Sequence, residues 1–217
     1  MKKIAFLGDS ITAGAGAENE SDRFTDILCR KLDCICLNYG VSGTRIAKQT
    51  IPSDEPIYDQ DFIERAKTIE NDVDLVFVFG GTNDYGHGDA NFGDLNSTSP
   101  YTFYGAVKTL INYLTERYGK DKVVFILPLL RYDENNVHGE FGTQKKERPP
   151  LKEYRKAIIN VCKMFNVKYY SLNDVFTLPK VNTGDALTVD GLHPNKKGHM
   201  LIAEFLCNKI IEDKLFR

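Results

Sequence analysis

The sequence contains no long uninterrupted run of apolar residues, although 42% of its 217 residues are hydrophobic. A helix that spans a membrane needs about 18 or more such residues in succession, so we expect no membrane insertion. The apolar stretch near the amino terminus, residues 4–7, is too short for the hydrophobic region of a signal peptide. These absences predict a cytoplasmic protein.

An excess of charge of either sign is also missing. The 28 Lys and Arg residues nearly balance the 30 Asp and Glu residues, and the formal net charge is −2. Nucleic acids and anionic membranes are bound through a strongly basic face, so we expect neither as a partner. The length and apolar content fit one folded domain, residues 1–217, that acts on a small molecule. The oligomeric state stays open.

Cysteine pairs with metal-binding spacing are absent as well. The chain has an odd number of cysteines, and none of them forms a C-x-x-C pair. They are Cys29, Cys34, Cys36, Cys162 and Cys207. We expect reduced thiols that pack as small apolar groups. Neither His87 nor His138 has a partner at metal-ligand spacing. The sequence therefore predicts no metal site and no cofactor.

What the sequence does contain is a regular alternation of strand and helix patterns. Apolar runs typical of strands cover residues 3–7, 34–39, 73–79, 123–127 and 167–170. Helical spacing of apolar residues follows at residues 22–32, 62–69, 103–118, 154–165 and 201–210. This order predicts an α/β fold, a three-layer α/β/α sandwich around a five-stranded parallel sheet.

Two long stretches, residues 84–99 and 129–150, follow predicted strands without a regular pattern of their own. Open parallel sheets bind ligands at the carboxyl ends of their strands, so we expect these loops to shape a crevice there. Ser99 followed by Pro100 is typical of a helix start. Along the helices, we expect Phe103 in the core and His199 on the surface.

Two short segments carry residues suited to nucleophilic catalysis. Ser10 follows the first strand in Gly8-Asp9-Ser10, and a turn into a helix would expose its hydroxyl. Asp190 precedes His193 by three residues, a spacing that lets a carboxylate orient an imidazole. Taken alone, each segment is explained as well by an ordinary turn or helix cap.

Two glycine-rich segments follow the second and third strands at the same predicted edge. Gly43 could present a bare backbone N–H, and Asn83 could supply a side-chain amide. Together with the Ser10 N–H, these groups would form three donors for an oxyanion. Four such segments in this order are improbable by chance.

The four segments GDSI, NYGVSG, GGTND and DGLHP resemble the sequence blocks of the SGNH hydrolases, also called the GDSL esterase/lipase family. Ile11 stands where the family name has leucine, a conservative apolar change. The resemblance implies a flavodoxin-like fold and a Ser10 nucleophile with His193 as base and Asp190 as its orienting acid. It also implies an oxyanion hole formed by Ser10, Gly43 and Asn83.

A serine carboxylester hydrolase is therefore the preferred interpretation, with an acyl-enzyme intermediate on the serine. Polar side chains in and near the two long loops favour a short acyl ester, such as an O-acetyl group on a carbohydrate. We expect substrate contacts from Arg45, Tyr85, His87 and Arg131. The alternatives are a lysophospholipase or thioesterase, an acyltransferase, and a ligand-binding module without catalysis.

Overall fold

The computed structural model describes residues 1–177 and 186–216. Its sheet consists of β1 (Lys3–Gly8), β2 (Ile35–Gly40), β3 (Leu75–Phe79), β4 (Val123–Ile126) and β5 (Lys168–Tyr170). All neighbouring strands are parallel, in the order β2-β1-β3-β4-β5. This is the flavodoxin-like order of a doubly wound sheet. The five-stranded parallel sheet predicted from the sequence is confirmed.

Helices connect these strands. In chain order they are α1 (Ser10–Ala13), α2 (Phe24–Leu32), α3 (Phe62–Ala66), α4 (Thr82–Gly86), α5 (Phe103–Tyr118), α6 (Leu151–Phe165) and α7 (Lys196–Glu212). The helix α7 packs against α2 on one side of the sheet, and α5 packs against α6 on the other. This arrangement is the predicted three-layer sandwich.

The strands supply two separate cores because successive side chains of a strand point to opposite faces. In β1, Ala5 and Leu7 enter the core beneath α3, α5 and α6. Ile4 and Phe6 enter the core beneath α2 and α7. The central strand β3 is buried along its whole length, as its apolar sequence predicts.

Some local predictions were wrong. Helix α5 is capped by Thr102, whose hydroxyl accepts a hydrogen bond from the Gly105 N–H over 3.2 Å, and not by Ser99. The Ser99 carbonyl instead accepts from Thr102 in the preceding turn. Helix α3 ends at Ala66, earlier than its apolar spacing suggested. The short helix α4 occupies the start of the loop predicted at residues 84–99.

His199 was expected on the surface of α7 but is completely buried, with 0% of its area exposed. Its Nδ1 accepts a hydrogen bond from the Phe24 N–H over 3.3 Å. Its Nε2 lies 3.2 Å from the Ala15 carbonyl and donates to it. Burial is tolerated because both ring nitrogens are hydrogen-bonded. Phe103 lies in the core as predicted.

Within residues 1–177 and 186–216, no helix has the length and apolar character needed to cross a membrane. The five cysteines are free thiols. Cys29 and Cys162 are buried among apolar side chains, as expected, and the other three are partly exposed.

Candidate active site

The carboxyl ends of three neighbouring strands meet at one edge of the sheet. The register places Gly8 of β1 opposite Gly40 of β2 and Phe79 of β3. Gly8 has no room for a side chain, because an added Cβ would lie 1.9 Å from the Thr12 hydroxyl oxygen. This close approach lets α1 start immediately beyond the strand, with Ser10 as its first residue.

Ser10 and His193 lie in direct contact. The Ser10 Oγ is 2.9 Å from His193 Nε2, and His193 Nδ1 is 2.6 Å from Asp190 Oδ2. Asp190 Oδ1 accepts hydrogen bonds from the backbone N–H groups of Leu192 and His193 over 3.0 and 2.7 Å. The sequence predicted these three side chains as partners, and the fold brings them together across 183 residues.

The carboxylate determines which nitrogen of His193 carries the proton. Partial burial raises the pKa of Asp190. The hydrogen bonds from His193 and the backbone lower this pKa by more than burial raises it, so the pKa lies below its ordinary value. The ionised carboxylate can only accept, so Nδ1 donates to it. Nε2 is then free to accept the proton of the Ser10 hydroxyl.

The start of α1 is held by the buried carboxyl group of Asp9. Its Oδ1 accepts a hydrogen bond from the Ile11 N–H over 3.0 Å. Burial raises the pKa of Asp9 to about 6, although this hydrogen bond and the nearby charges of His193 and Arg65 oppose the rise. The first N–H groups of a helix have no partner within the helix, so the Ser10 N–H is available to an oxyanion.

Gly43 and Asn83 lie beside Ser10 along the same cavity. Gly43 has a φ of 75°, in the left-handed region, and an added Cβ would lie 2.6 Å from the ring of Tyr58. The amide nitrogen of Asn83 donates one hydrogen to the Thr44 carbonyl over 3.0 Å. A carboxamide has two N–H groups, so the second remains available at the cavity.

These residues line a cavity of about 430 Å³. Its lining consists of Ser10, Ala15, Ser42, Gly43, Arg45, Tyr58, Asn83, His87, Glu140, Leu192 and His193. Arg45 and His87, two of the four side chains predicted to contact substrate, are among them. Their side chains are joined by a hydrogen bond of 2.9 Å between Arg45 Nη2 and His87 Nδ1.

Tyr85 and Arg131, also predicted to contact substrate, do not line this cavity. Tyr85 is fully buried, and its hydroxyl donates to the backbone carbonyls of Asp133 and Asn136. The Arg131 guanidinium lies over the Tyr85 ring, pairs with Asp133 and donates to Thr82 Oγ1 over 3.1 Å. Both side chains attach the 129–150 loop to α4, which corrects their predicted role.

Tyr58 and Glu140 were missed by sequence reasoning. Tyr58 belongs to the short 3₁₀ turn Pro56–Asp59, in a segment without a motif. Glu140 lies on the 129–150 loop, which was expected to shape the crevice, but one acidic residue among several there carries no distinguishing signal. Among the described residues, no three or more His, Cys, Asp or Glu side chains are grouped so that they could hold a metal ion.

The flavodoxin-like sandwich and the arrangement at its carboxyl edge define an SGNH-type hydrolase class. The chain belongs to the GDSL-like lipase/acylhydrolase family, whose model matches residues 6–201. Members of this class are hydrolases of the lipase and esterase type.

Several solved structures share the fold. A protein from Lactobacillus plantarum is 28% identical, with a TM-score of 0.80 and 97% of each chain covered. The lipase/acylhydrolase from Enterococcus faecalis is 24% identical, with a TM-score of 0.68 over 98% of this chain and 97% of that one. Est24, a carbohydrate acetylesterase from Sinorhizobium meliloti, is 17% identical, with a TM-score of 0.65 over 98% and 99%. No curated protein matches the chain.

Proposed function

We propose that the protein is a serine carboxylester hydrolase that acts on short acyl esters, with O-acetyl groups on carbohydrate as the preferred class. The observation that carries this proposal is the hydrogen-bond chain from Ser10 through His193 to Asp190, next to two further oxyanion donors. A serine hydroxyl, an imidazole with a free Nε2 and an orienting carboxylate are the elements of nucleophilic acyl transfer.

In the proposed reaction, His193 Nε2 takes the proton of Ser10 while Oγ attacks the ester carbonyl carbon. The oxyanion of the tetrahedral intermediate accepts hydrogen bonds from the N–H groups of Ser10 and Gly43 and from the Asn83 amide. His193 then gives its proton to the leaving alcohol, and the acyl group stays on Ser10. Water, deprotonated by His193, attacks the acyl-enzyme, and His193 returns the proton to Ser10 Oγ as the carboxylic acid is released.

Four polar side chains of the cavity lining are the basis for preferring a small polar substrate. Besides the proposed catalytic groups, the cavity presents the side chains of Arg45, Tyr58, His87 and Glu140. A long acyl chain cannot form hydrogen bonds with these groups, whereas a polar substrate can. The fold-level likeness to a carbohydrate acetylesterase is compatible with this preference.

The test compares Ser10→Ala with the unaltered protein on p-nitrophenyl acetate, butyrate and octanoate. We expect hydrolysis to be fastest with acetate and to be abolished in Ser10→Ala. A fluorophosphonate probe should label the unaltered protein but not the variant. Ser97→Ala is the matched control, because Ser97 lies in a turn with Asp94 and does not line the cavity, and it should keep both activity and labelling.

Retained turnover in Ser10→Ala would contradict the assignment of the nucleophile. Fastest hydrolysis of octanoate would instead favour the lysophospholipase or thioesterase alternative. Product analysis with added alcohol separates hydrolysis from acyl transfer, because a transferase would form a new ester. Serine labelling without turnover of these esters would favour the alternative of acyl transfer to another acceptor.

A further inference from the structure

His87 lies one helical turn beyond Asn83, at the end of α4. Its backbone N–H donates to the Asn83 carbonyl over 3.0 Å, which closes this turn. His87 is the C-cap residue of α4, four residues after the proposed oxyanion donor Asn83. His87 lines the cavity but has no place in the proposed acyl transfer.

Arg45 holds this imidazole from a buried position. Only 7% of Arg45 is exposed. Its Nη1 donates to the Tyr58 carbonyl over 3.0 Å and lies 3.7 Å from Asp59 Oδ1, and its Nη2 lies 2.9 Å from His87 Nδ1. The Arg45 Nε is buried without a hydrogen-bond partner in the described part of the chain.

The contact with Arg45 determines the protonation of the ring. A guanidinium has donors only, so His87 Nδ1 accepts and the ring proton lies on Nε2. Burial, with the positive charges of Arg45 and Arg131, lowers the pKa of His87 to about 4. The ring is therefore neutral at physiological pH, with one donor left. Because His87 lines the cavity, the Nε2 proton is the donor that the ring can offer to a ligand there.

Glu140 supplies an acceptor on the same cavity. Its carboxylate lies against Gly86, where an added Cβ would be 3.1 Å from Oε2. Arg131 Nη2 lies 3.5 Å from the other carboxylate oxygen. One end of α4 therefore combines a neutral N–H donor with a carboxylate acceptor. A hydroxyl group can satisfy both because it donates and accepts.

We propose that His87 and Glu140 form a subsite for a neutral, hydroxyl-bearing alcohol portion of the ester, and that Arg45 is the positioning residue that keeps the His87 donor on Nε2. This inference rests on the proposed esterase function and adds the group that selects the substrate. His87 donates to a hydroxyl oxygen of the bound ester, and Glu140 accepts from the same or a neighbouring hydroxyl. A sugar or polyol acetate meets this requirement.

The test compares a mono-O-acetylated glucose, which carries free hydroxyls, with p-nitrophenyl acetate, which has none. His87→Leu should lower kcat/KM for the sugar ester about tenfold more than it lowers kcat/KM for p-nitrophenyl acetate, chiefly through KM. His87→Gln, which keeps a side-chain donor, should recover most of the loss. His138→Leu is the control, because His138 contacts the Gln144 carbonyl and does not line the cavity.

Arg45→Lys tests the positioning role through the ring itself. In ¹⁵N NMR spectra, His87 of the unaltered protein should show an unprotonated Nδ1 and a protonated Nε2. The variant should show a mixture of tautomers, because a lysine ammonium cannot hold Nδ1 and the Tyr58 carbonyl in the same fork geometry. Circular dichroism establishes that each variant is folded. If His87→Leu does not fold, the proposal is tested by the ester kinetics of His87→Gln and by the tautomer of His87 in the unaltered protein.

The inference is overturned if His87→Leu affects both esters equally, if it affects neither, or if His87 carries its proton on Nδ1. It is also overturned if the unaltered protein hydrolyses p-nitrophenyl acetate but not the sugar acetate. Absence of turnover on p-nitrophenyl acetate would instead contradict the proposed esterase function. The two failures are therefore distinguishable.

Discussion

Replacement of Asp190 by asparagine should remove most of the activity while leaving the fold intact. The carboxylate accepts three hydrogen bonds, two from backbone N–H groups at Oδ1 and one from His193 Nδ1 at Oδ2. An asparagine oxygen can keep both backbone bonds. The amide nitrogen that replaces Oδ2 can only donate, so Nδ1 must become an acceptor.

The consequence is the wrong tautomer of His193. With its proton moved to Nε2, the ring can no longer accept the proton of Ser10, which lies 2.9 Å away. In serine hydrolases with this geometry, the equivalent change lowers kcat by about 10⁴, which corresponds to about 5.4 kcal/mol of transition-state stabilisation. Exchanging a charge-assisted hydrogen bond for a neutral one should lower the free energy of unfolding by only about 1 kcal/mol.

The assay measures kcat with p-nitrophenyl acetate and the free energy of unfolding in urea for the same preparations. Asp89→Asn is the matched control, because Asp89 also accepts backbone hydrogen bonds, from Thr50 and Ile51, but does not line the cavity. A loss of less than about tenfold in Asp190→Asn would refute the reasoning, since a correct tautomer would then persist without the carboxylate.

Three further predictions concern the surroundings of the site. Gly43→Ala should lower kcat by about tenfold or more, because its Cβ would lie 2.6 Å from the Tyr58 ring and displace an oxyanion donor; unchanged ester kinetics would argue against this role. The pKa of Asp9 is about 6 in the folded protein and 3.8 as an ordinary value. The folded state therefore holds the Asp9 proton more tightly than the unfolded state, and this contribution to stability is complete below about pH 4 and is lost as pH rises through 6. The free energy of unfolding in urea should therefore fall between pH 4 and 7 by up to about 3 kcal/mol more in the unaltered protein than in Asp9→Asn, and equal decreases would contradict the assignment. His199→Phe should lower the free energy of unfolding by about 2–4 kcal/mol, because the Phe24 N–H and the Ala15 carbonyl lose buried partners; a change below about 0.5 kcal/mol in urea denaturation would show that neither bond matters.

The layered fold could be predicted because its signals are local. Strand residues such as those of β3 are apolar on both faces, and helices such as α5 carry apolar residues at regular helical spacing. The exact ends of the helices were harder to predict from the sequence. Thr102 rather than Ser99 caps α5, because the choice between two capping residues depends on which turn the preceding loop adopts.

The predicted site residues fall into two groups for a physical reason. Ser10, Gly43 and Asn83 directly follow strands, and parallel strands end at a common edge, so their proximity follows from topology. Arg45 and His87 line the cavity, whereas Tyr85 and Arg131 are buried and do not line it. Nothing in the local sequence distinguishes these pairs, because the distinction depends on how the 129–150 loop packs on α4.

The sequence by itself determined the alternation of strands and helices, the edge of the sheet that carries the site and the residue types available there. Each of these depends on spacing along the chain. Only the tertiary structure decided that His199 is buried, that Tyr58 and Glu140 line the cavity, and that Arg45 holds Nδ1 of His87. These features depend on contacts between segments far apart in sequence, where burial and partner geometry select among chemically similar residues.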